Sequence, residues 1–103
     1  MKIEVFYVAG CPHYQPTVDR IKKVLLTESL HAVVESIPVG SEFAALALQF
    51  PGSPTVRVDG VDVEPKLAKA SGLACRLYAD GGGMPSEEVL RQALSRARQR
   101  EGI

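Results

Sequence analysis

The spacing of apolar residues changes period several times along the chain, and each change marks an element. Lys2 to Val8 reads KIEVFYV, rich in β-branched and aromatic side chains, with both faces apolar from Val5 to Val8. Such a run predicts a strand covered on both sides, as in a parallel or mixed sheet. Gly10-Cys11-Pro12 punctuates its end. Tyr14, Val18, Ile21 and Leu25, with Val24 alongside, then recur at three- and four-residue spacing and predict an amphipathic helix. Asp19, Arg20, Lys22 and Lys23 supply its solvated face. Pro12 and Pro16 each suit a first helical turn, where the backbone N–H has no helical partner, so the start is left open. Ala32 to Val39, AVVESIPV, predicts a second strand. Strand, helix and strand at this spacing form a right-handed βαβ unit with parallel strands.

Ser41 is a predicted N-cap for a short helix over Glu42 to Gln49, which Pro51-Gly52-Ser53-Pro54 ends. Thr55 to Val63 carries the clearest local signal: TVRV-DG-VDV is two alternating runs around Asp-Gly, a hairpin with a two-residue loop. Its register sets Val58 against Val61, Arg57 against Asp62 and Val56 against Val63. All four valines then share one face, and Arg57 and Asp62 are expected to form a cross-strand ion pair on the other. Glu64 to Pro85 is a long connection containing Gly81-Gly82-Gly83, with a helical turn expected over Pro65 to Ala70. Ser86 caps the last predicted helix, with Glu87 and Glu88 in its first turn. Val89, Leu90, Ala93, Leu94 and Ala97 form its apolar stripe. Arg91, Arg96, Arg98 and Arg100 read as a solvated face, the alternative being an anion-binding patch. The predicted class is α/β: βαβ, then a hairpin and a C-terminal helix, giving a four-stranded mixed sheet with helices on its faces.

Composition narrows the function classes. A chain of 103 residues makes one domain. Lys plus Arg and Asp plus Glu each number 12, so the formal charge is zero and there is no overall pull on a phosphate backbone. Hydrophobic residues at 46% and charged ones at 23% suit a packed domain rather than a disordered one. No apolar run approaches the roughly 18 residues that cross a bilayer. Two cysteines are too few for a disulfide framework. Val8-Ala9-Gly10-Cys11 resembles a lipoprotein cleavage box, yet only ten residues precede Cys11 and Glu4 is among them, too short for a signal peptide. The expectation is a cytoplasmic protein without nucleic-acid or membrane partners, its oligomeric state open.

Chemistry centres on Cys11, expected where the first strand gives way to a helix. Backbone N–H groups at such a junction point at the sulfur, and the helix dipole favours an anion there. The thiolate is the nucleophilic form of cysteine, and helix N-termini favour it. Pro12 adds no competing donor and holds the turn. His13 has two readings: a partner that stabilises the thiolate or takes up its proton, or an exposed first-turn residue without a role. Gly52-Ser53-Pro54-Thr55-Val56 is the second signal, because a proline immediately before a strand is a place where cis bonds occur.

Strand, Cys-Pro-helix, strand, then Gly-x-Pro-Thr-aliphatic-x-aliphatic-Asp-Gly resembles the thioredoxin superfamily. A narrower likeness is to small bacterial thioredoxin-like proteins that carry a stretch similar to Gly52–Pro65, followed by one similar to Gly72–Tyr78. The resemblance implies a single thioredoxin-like domain over residues 1–103. It implies that the Pro54 loop packs against Cys11, and that the backbone at Ser53, flanked by Pro54 and Thr55, receives an incoming peptide or thiol as an added strand. Cys11-Pro12-His13 matches the first three residues of the Cys-Pro-His-Cys box of periplasmic disulfide oxidases, but Tyr14 replaces the second sulfur. Two-cysteine exchange inside this box is therefore ruled out. A monothiol, glutaredoxin-style route remains, with glutathione as co-substrate and no other cofactor.

In this topology the connection holding Cys75 leaves the sheet on the same side as Cys11. Cys75 then reads either as the resolving thiol for Cys11 or as a small hydrophobe. Tyr14 either packs at the helix start or donates a proton to substrate. Arg76 either holds a carboxylate such as glutathione's or forms a surface ion pair. His31 belongs to a helix-to-strand loop. Cys11, His13 and Cys75 could form a small soft-metal site if the loop folds over, but no zinc-type spacing supports it; Cys11 with glutathione could alternatively bridge an iron–sulfur cluster between two subunits, which needs more thiolates than one chain offers, so no metal is assigned. The leading expectation is thiol–disulfide chemistry on a protein or small-molecule thiol. The alternatives are a non-enzymatic thioredoxin-like binding module and a thiolate carrier of soft metals.

Overall fold

The computed structural model describes residues 1–65, 72–79 and 82–101. The elements run β1 (Lys2–Tyr7), α1 (Tyr14–Thr27), β2 (Val33–Pro38), α2 (Glu42–Ala47), β3 (Thr55–Val58), β4 (Val61–Asp62) and α3 (Glu87–Arg100). The strands form one mixed sheet in the order β2-β1-β3-β4. β1 runs parallel to β2, with Lys2 beside Val33 and Tyr7 beside Pro38. β3 lies antiparallel on the other flank of β1, setting Thr55 opposite Phe6 and Val58 opposite Ile3. The hairpin register follows the sequence pattern, with Val58 opposite Val61 and Arg57 opposite Asp62. Asp59 and Gly60 both take positive φ, 50° and 85°, as a two-residue hairpin loop requires.

Alternation along β1 divides the interior in two. Ile3 and Val5, with Val56 and Val58 from β3, face α1 and α3 and join Val18, Ile21, Val24, Leu25, Leu90, Ala93, Leu94 and Ala97. Phe6 points the other way and packs with Val39, Ala45 and Phe50. Each fully buried aliphatic or aromatic side chain contributes about 1.5–3 kcal/mol relative to exposure. Two helices cover the first face, whereas the six-residue α2 covers the second. The caps are those the sequence predicts: Ser41 Oγ accepts the Ala44 N–H and Ser86 Oγ the Val89 N–H, each at 3.1 Å. No helix of the described residues is long and apolar enough to cross a membrane.

Several expectations need correction. Helix α1, whose start the sequence leaves open between Pro12 and Pro16, begins at Tyr14 with His13 as N-cap, and the His13 side chain makes no capping bond. Pro16 therefore lies in the first turn, where its missing N–H costs nothing. α2 ends two residues early, because Leu48 caps it and Gln49 turns to φ 51°. Val61 is 40% exposed, since it lies on the two-residue edge strand just beyond the hairpin tip, while Val56, Val58 and Val63 are buried. Arg57 and Asp62 stand opposite each other but form no ion pair. Arg57 lies over the Phe6 ring and donates to the carbonyls of Leu48 and Gln49 at 2.7 and 3.2 Å, which lack helical partners at the end of α2. Asp62 turns inward to another arginine. On α3, Arg100 and Arg96 reach back to the Val58 and Val63 carbonyls, and Arg91 pairs with Glu88. The helical turn expected over Pro65–Ala70 lies, beyond Pro65, outside the described residues.

Candidate functional site at the Cys11 end of the sheet

The end of β1 and the start of β3 meet at one edge of the sheet, because the two strands are antiparallel neighbours. Beyond β1 the chain makes a tight turn in which the Cys11 N–H bonds the Val8 carbonyl at 3.2 Å. Gly10 takes φ 79° at the third position of this turn, a conformation that other residues adopt only with strain. The Cys11 carbonyl then accepts the Tyr14 N–H at 3.3 Å, leading into α1. Cys11 is half-buried and a free thiol, and Pro12 beside it is exposed. The His13 carbonyl accepts both the N–H and the hydroxyl of Thr17, at 3.1 and 2.6 Å. Its imidazole lies under the chain at Gly83: a Cβ there would stand 2.5 Å from Cδ2 and Nε2. Tyr14 stacks on Tyr7, ring centroids 3.9 Å apart and planes 18° from parallel.

The Gly52–Thr55 loop is buried at the same edge. The Ser53–Pro54 bond is cis. Ser53 Oγ accepts the Val8 N–H at 3.1 Å, which ties the loop to the turn that carries Cys11. Thr55 Oγ1 donates to the Gly52 carbonyl at 2.6 Å.

A third segment completes the site. Residues 72–76 run alongside residues 50–53 as a short parallel ladder. The Gly72 N–H bonds the Phe50 carbonyl at 3.0 Å, the Ser53 N–H bonds the Ala74 carbonyl at 2.9 Å, and the Arg76 N–H bonds the Ser53 carbonyl at 3.0 Å. Ser53 and Cys75 are thereby bridge partners. The approach is close over Gly52, at φ 129°, where a Cβ would fall 3.0 Å from both the Ala74 carbonyl oxygen and the Arg76 Cβ. Cys75 itself is exposed and a free thiol.

Arg76 anchors this segment. Its guanidinium is buried and meets the Asp62 carboxylate through two bonds, Nη1 to Oδ2 at 2.7 Å and Nη2 to Oδ1 at 2.8 Å. It also donates to Thr55 Oγ1 at 3.2 Å and to the Glu64 carbonyl at 3.1 Å. Only Nε lacks a partner among the described residues. Burial opposes the charge, but the bonds to Asp62, helped by Tyr78 and Glu64, more than offset this and hold the arginine above its ordinary value. Arg76 is thus neither a surface ion pair nor a side chain free to hold a glutathione carboxylate; the inward-facing Asp62 has already claimed it. Tyr78 lies below it, ring centroid 4.4 Å from the guanidinium carbon, and donates its hydroxyl to the Pro54 carbonyl at 2.6 Å. Burial pushes the Tyr78 phenol well above its ordinary value; the Arg76 charge works against this, while Asp62, Glu64 and Cys11 add to it.

The structure therefore brings Cys11, Ser53, Pro54, Thr55, Cys75 and Arg76 to one edge of the sheet, with His13 and Tyr14 just beyond Cys11. Asp62, Tyr78 and Gly52 complete the arrangement, although the sequence pattern assigns none of them a role at the site. The alternation Arg76-Leu77-Tyr78, in-out-in, was their available signal: Arg76 and Tyr78 are buried, and Leu77 is 68% exposed. Among the described residues, no three or more His, Cys, Asp or Glu side chains gather where they would hold a metal ion. No family model, curated protein or solved structure matches the chain.

Proposed function

We propose that the chain is a thioredoxin-like thiol–disulfide oxidoreductase in which Cys11 is the attacking thiol and Cys75, or glutathione, resolves the intermediate. The strand order β2-β1-β3-β4, with β1 parallel to β2 and antiparallel to β3, suits that fold. One observation carries the reading. The ladder to Ser53 holds Cys75 beside the residue whose hydroxyl binds the turn leading to Cys11, so both free thiols lie on segments tied to Ser53.

In the reaction, the Cys11 thiolate attacks one sulfur of a substrate disulfide. A Cys11–substrate disulfide forms and the other substrate sulfur leaves as a thiolate, which takes a proton from solvent. Cys75, as a thiolate, then attacks the Cys11 sulfur and releases the second substrate thiol. The substrate gains two electrons and the protein ends as a Cys11–Cys75 disulfide. Glutathione in place of Cys75 leaves the protein reduced and forms a glutathione–substrate disulfide. Bridging Cys11 and Cys75 requires their Cα atoms within about 7 Å, reached directly or by movement of the Cys75 segment.

The test is equilibration in glutathione buffers of graded potential, acid quenching, alkylation and peptide mapping of both cysteines. A Cys11–Cys75 bridge, or a Cys11–glutathione adduct, that titrates with the buffer is the expected result. Two cysteines that stay free across the whole range overturn the proposal.

A further inference from the structure

Backbone groups that receive an extended polypeptide must be free, because strand addition draws its affinity from a row of unpaired N–H and C=O groups. At the Cys11 edge that row is filled from within. The Ser53 N–H and C=O, on the residue whose hydroxyl binds the turn that carries Cys11, are both bonded to residues 74–76. The filling segment is held at both ends and from beneath. Leu73 packs into the cluster around Phe50 on the α2 side of the sheet, and Tyr78 packs among the core residues on the α1 and α3 side. Between them Arg76 is fastened to Asp62, and the contact over Gly52 leaves no space for a side chain. The segment thus wraps over the sheet end, with Cys75 facing solvent.

We infer that Cys11 exchanges with low-molecular-weight disulfides rather than polypeptide disulfides, because the chain's own segment 72–76 already bonds the Ser53 backbone, where that reading has a polypeptide add as a strand. The inference rests on the thiol–disulfide reading above and narrows its substrate. A small disulfide needs no strand register: it has only to reach the half-exposed sulfur. The Cys11 thiolate attacks one of its sulfurs, the second leaves as a small thiolate, and the ladder at Ser53 stays closed throughout.

The experiment uses the full chain carrying Cys75→Ser, so that the product of attack at Cys11 persists. The reduced protein is mixed with bis(2-hydroxyethyl) disulfide or with insulin, and adducts at Cys11 are timed by mass spectrometry. Each rate is normalised to that of dithiothreitol with the same disulfide. The expected normalised rate is at least 100-fold higher for the small disulfide. Gly52→Ala, which drives a methyl group into the 74–76 backbone, is expected to raise the insulin-to-small-disulfide ratio at least tenfold. Should that variant fail to fold, amide exchange of the unaltered chain decides: the Ser53 and Arg76 amides are expected to exchange at least 100-fold more slowly than in an unstructured peptide. Normalised insulin rates within tenfold of the small-disulfide rates, or unprotected Ser53 and Arg76 amides, overturn the inference and leave the thiol–disulfide reading intact. A Cys11 that reacts with neither disulfide removes that reading and the inference with it.

Discussion

Two segments bring a cysteine to the same end of the sheet, and different physics holds each there. The Cys11 turn is local. It is closed by bonds between residues three apart, its φ of 79° falls on a glycine, and the helix that follows starts at once. The Cys75 segment differs: residues 72–76 make no backbone hydrogen bond to one another. It is held by partners far away in sequence: Phe50 and Ser53 through the backbone, Asp62 through a buried ion pair, and Pro54 through the Tyr78 hydroxyl. The comparison teaches where the site is vulnerable. Cys11 rides on geometry that the nearby sequence enforces, whereas the position of Cys75 depends on the packed core below it.

Four substitutions break or sharpen this contrast. The largest effect is expected from Arg76→Met, which leaves the Asp62 carboxylate buried without its cation. Removing one partner of such a pair costs about 3–5 kcal/mol. Urea titration reads the loss directly, and a change below about 1 kcal/mol would show that the clamp does not hold the segment.

A matched pair of glycine substitutions comes next. Gly52→Ala faces both a disfavoured φ and a backbone contact at 3.0 Å, for which a cost of about 3 kcal/mol is expected. Gly10→Ala meets only the backbone preference, since nothing lies within 4 Å of its Cβ, and about 1–2 kcal/mol is expected. Equal losses measured for the two variants would erase the distinction between the tethered segment and the local turn.

Tyr78→Phe is the mildest. It keeps the ring beneath Arg76 but leaves the Pro54 carbonyl without its donor, at a cost of about 1 kcal/mol near neutral pH. The sign of its pH dependence follows from the raised phenol. The folded chain holds the proton above the ordinary value of 10.0, so the contribution of Tyr78 is complete below pH 10.0 and is lost as pH rises further. The stability gap between the native chain and Tyr78→Phe should therefore stay constant to about pH 10, close within about one unit above it and reverse in sign beyond that. Parallel denaturation curves from pH 8 to 11.5 check this; a constant gap throughout would mean that the phenol ionises as readily folded as unfolded.

Much of the fold was legible because its signals are local. The Asp59-Gly60 loop requires two positive φ values, and the strand pattern around it sets the register. Ser41 and Ser86 cap the helices they precede, since a short hydroxyl side chain reaches a free N–H two or three residues on. At the site, Cys11 and the Ser53-Pro54 loop announced themselves by position at element ends. The polar partners did not. Arg57 and Asp62 stand opposite in the register, and the sequence pattern pairs them, yet each finds a stronger partner elsewhere: open helix-end carbonyls for one, a buried guanidinium for the other.

By itself, then, the sequence determined the order of strands and helices, the hairpin register, the caps of α2 and α3 and the placement of Cys11 between β1 and α1. Each of these depends on steric and hydrogen-bonding preferences that act within a few residues. Only the tertiary structure decided that Arg76 lies inside rather than at the surface, that Cys75 is laid against Ser53, and that the backbone edge beside Cys11 is filled. Those choices follow from competition among distant groups. A buried carboxylate must be paired and a buried N–H or C=O must be bonded, and which residue satisfies them is set only when the core closes.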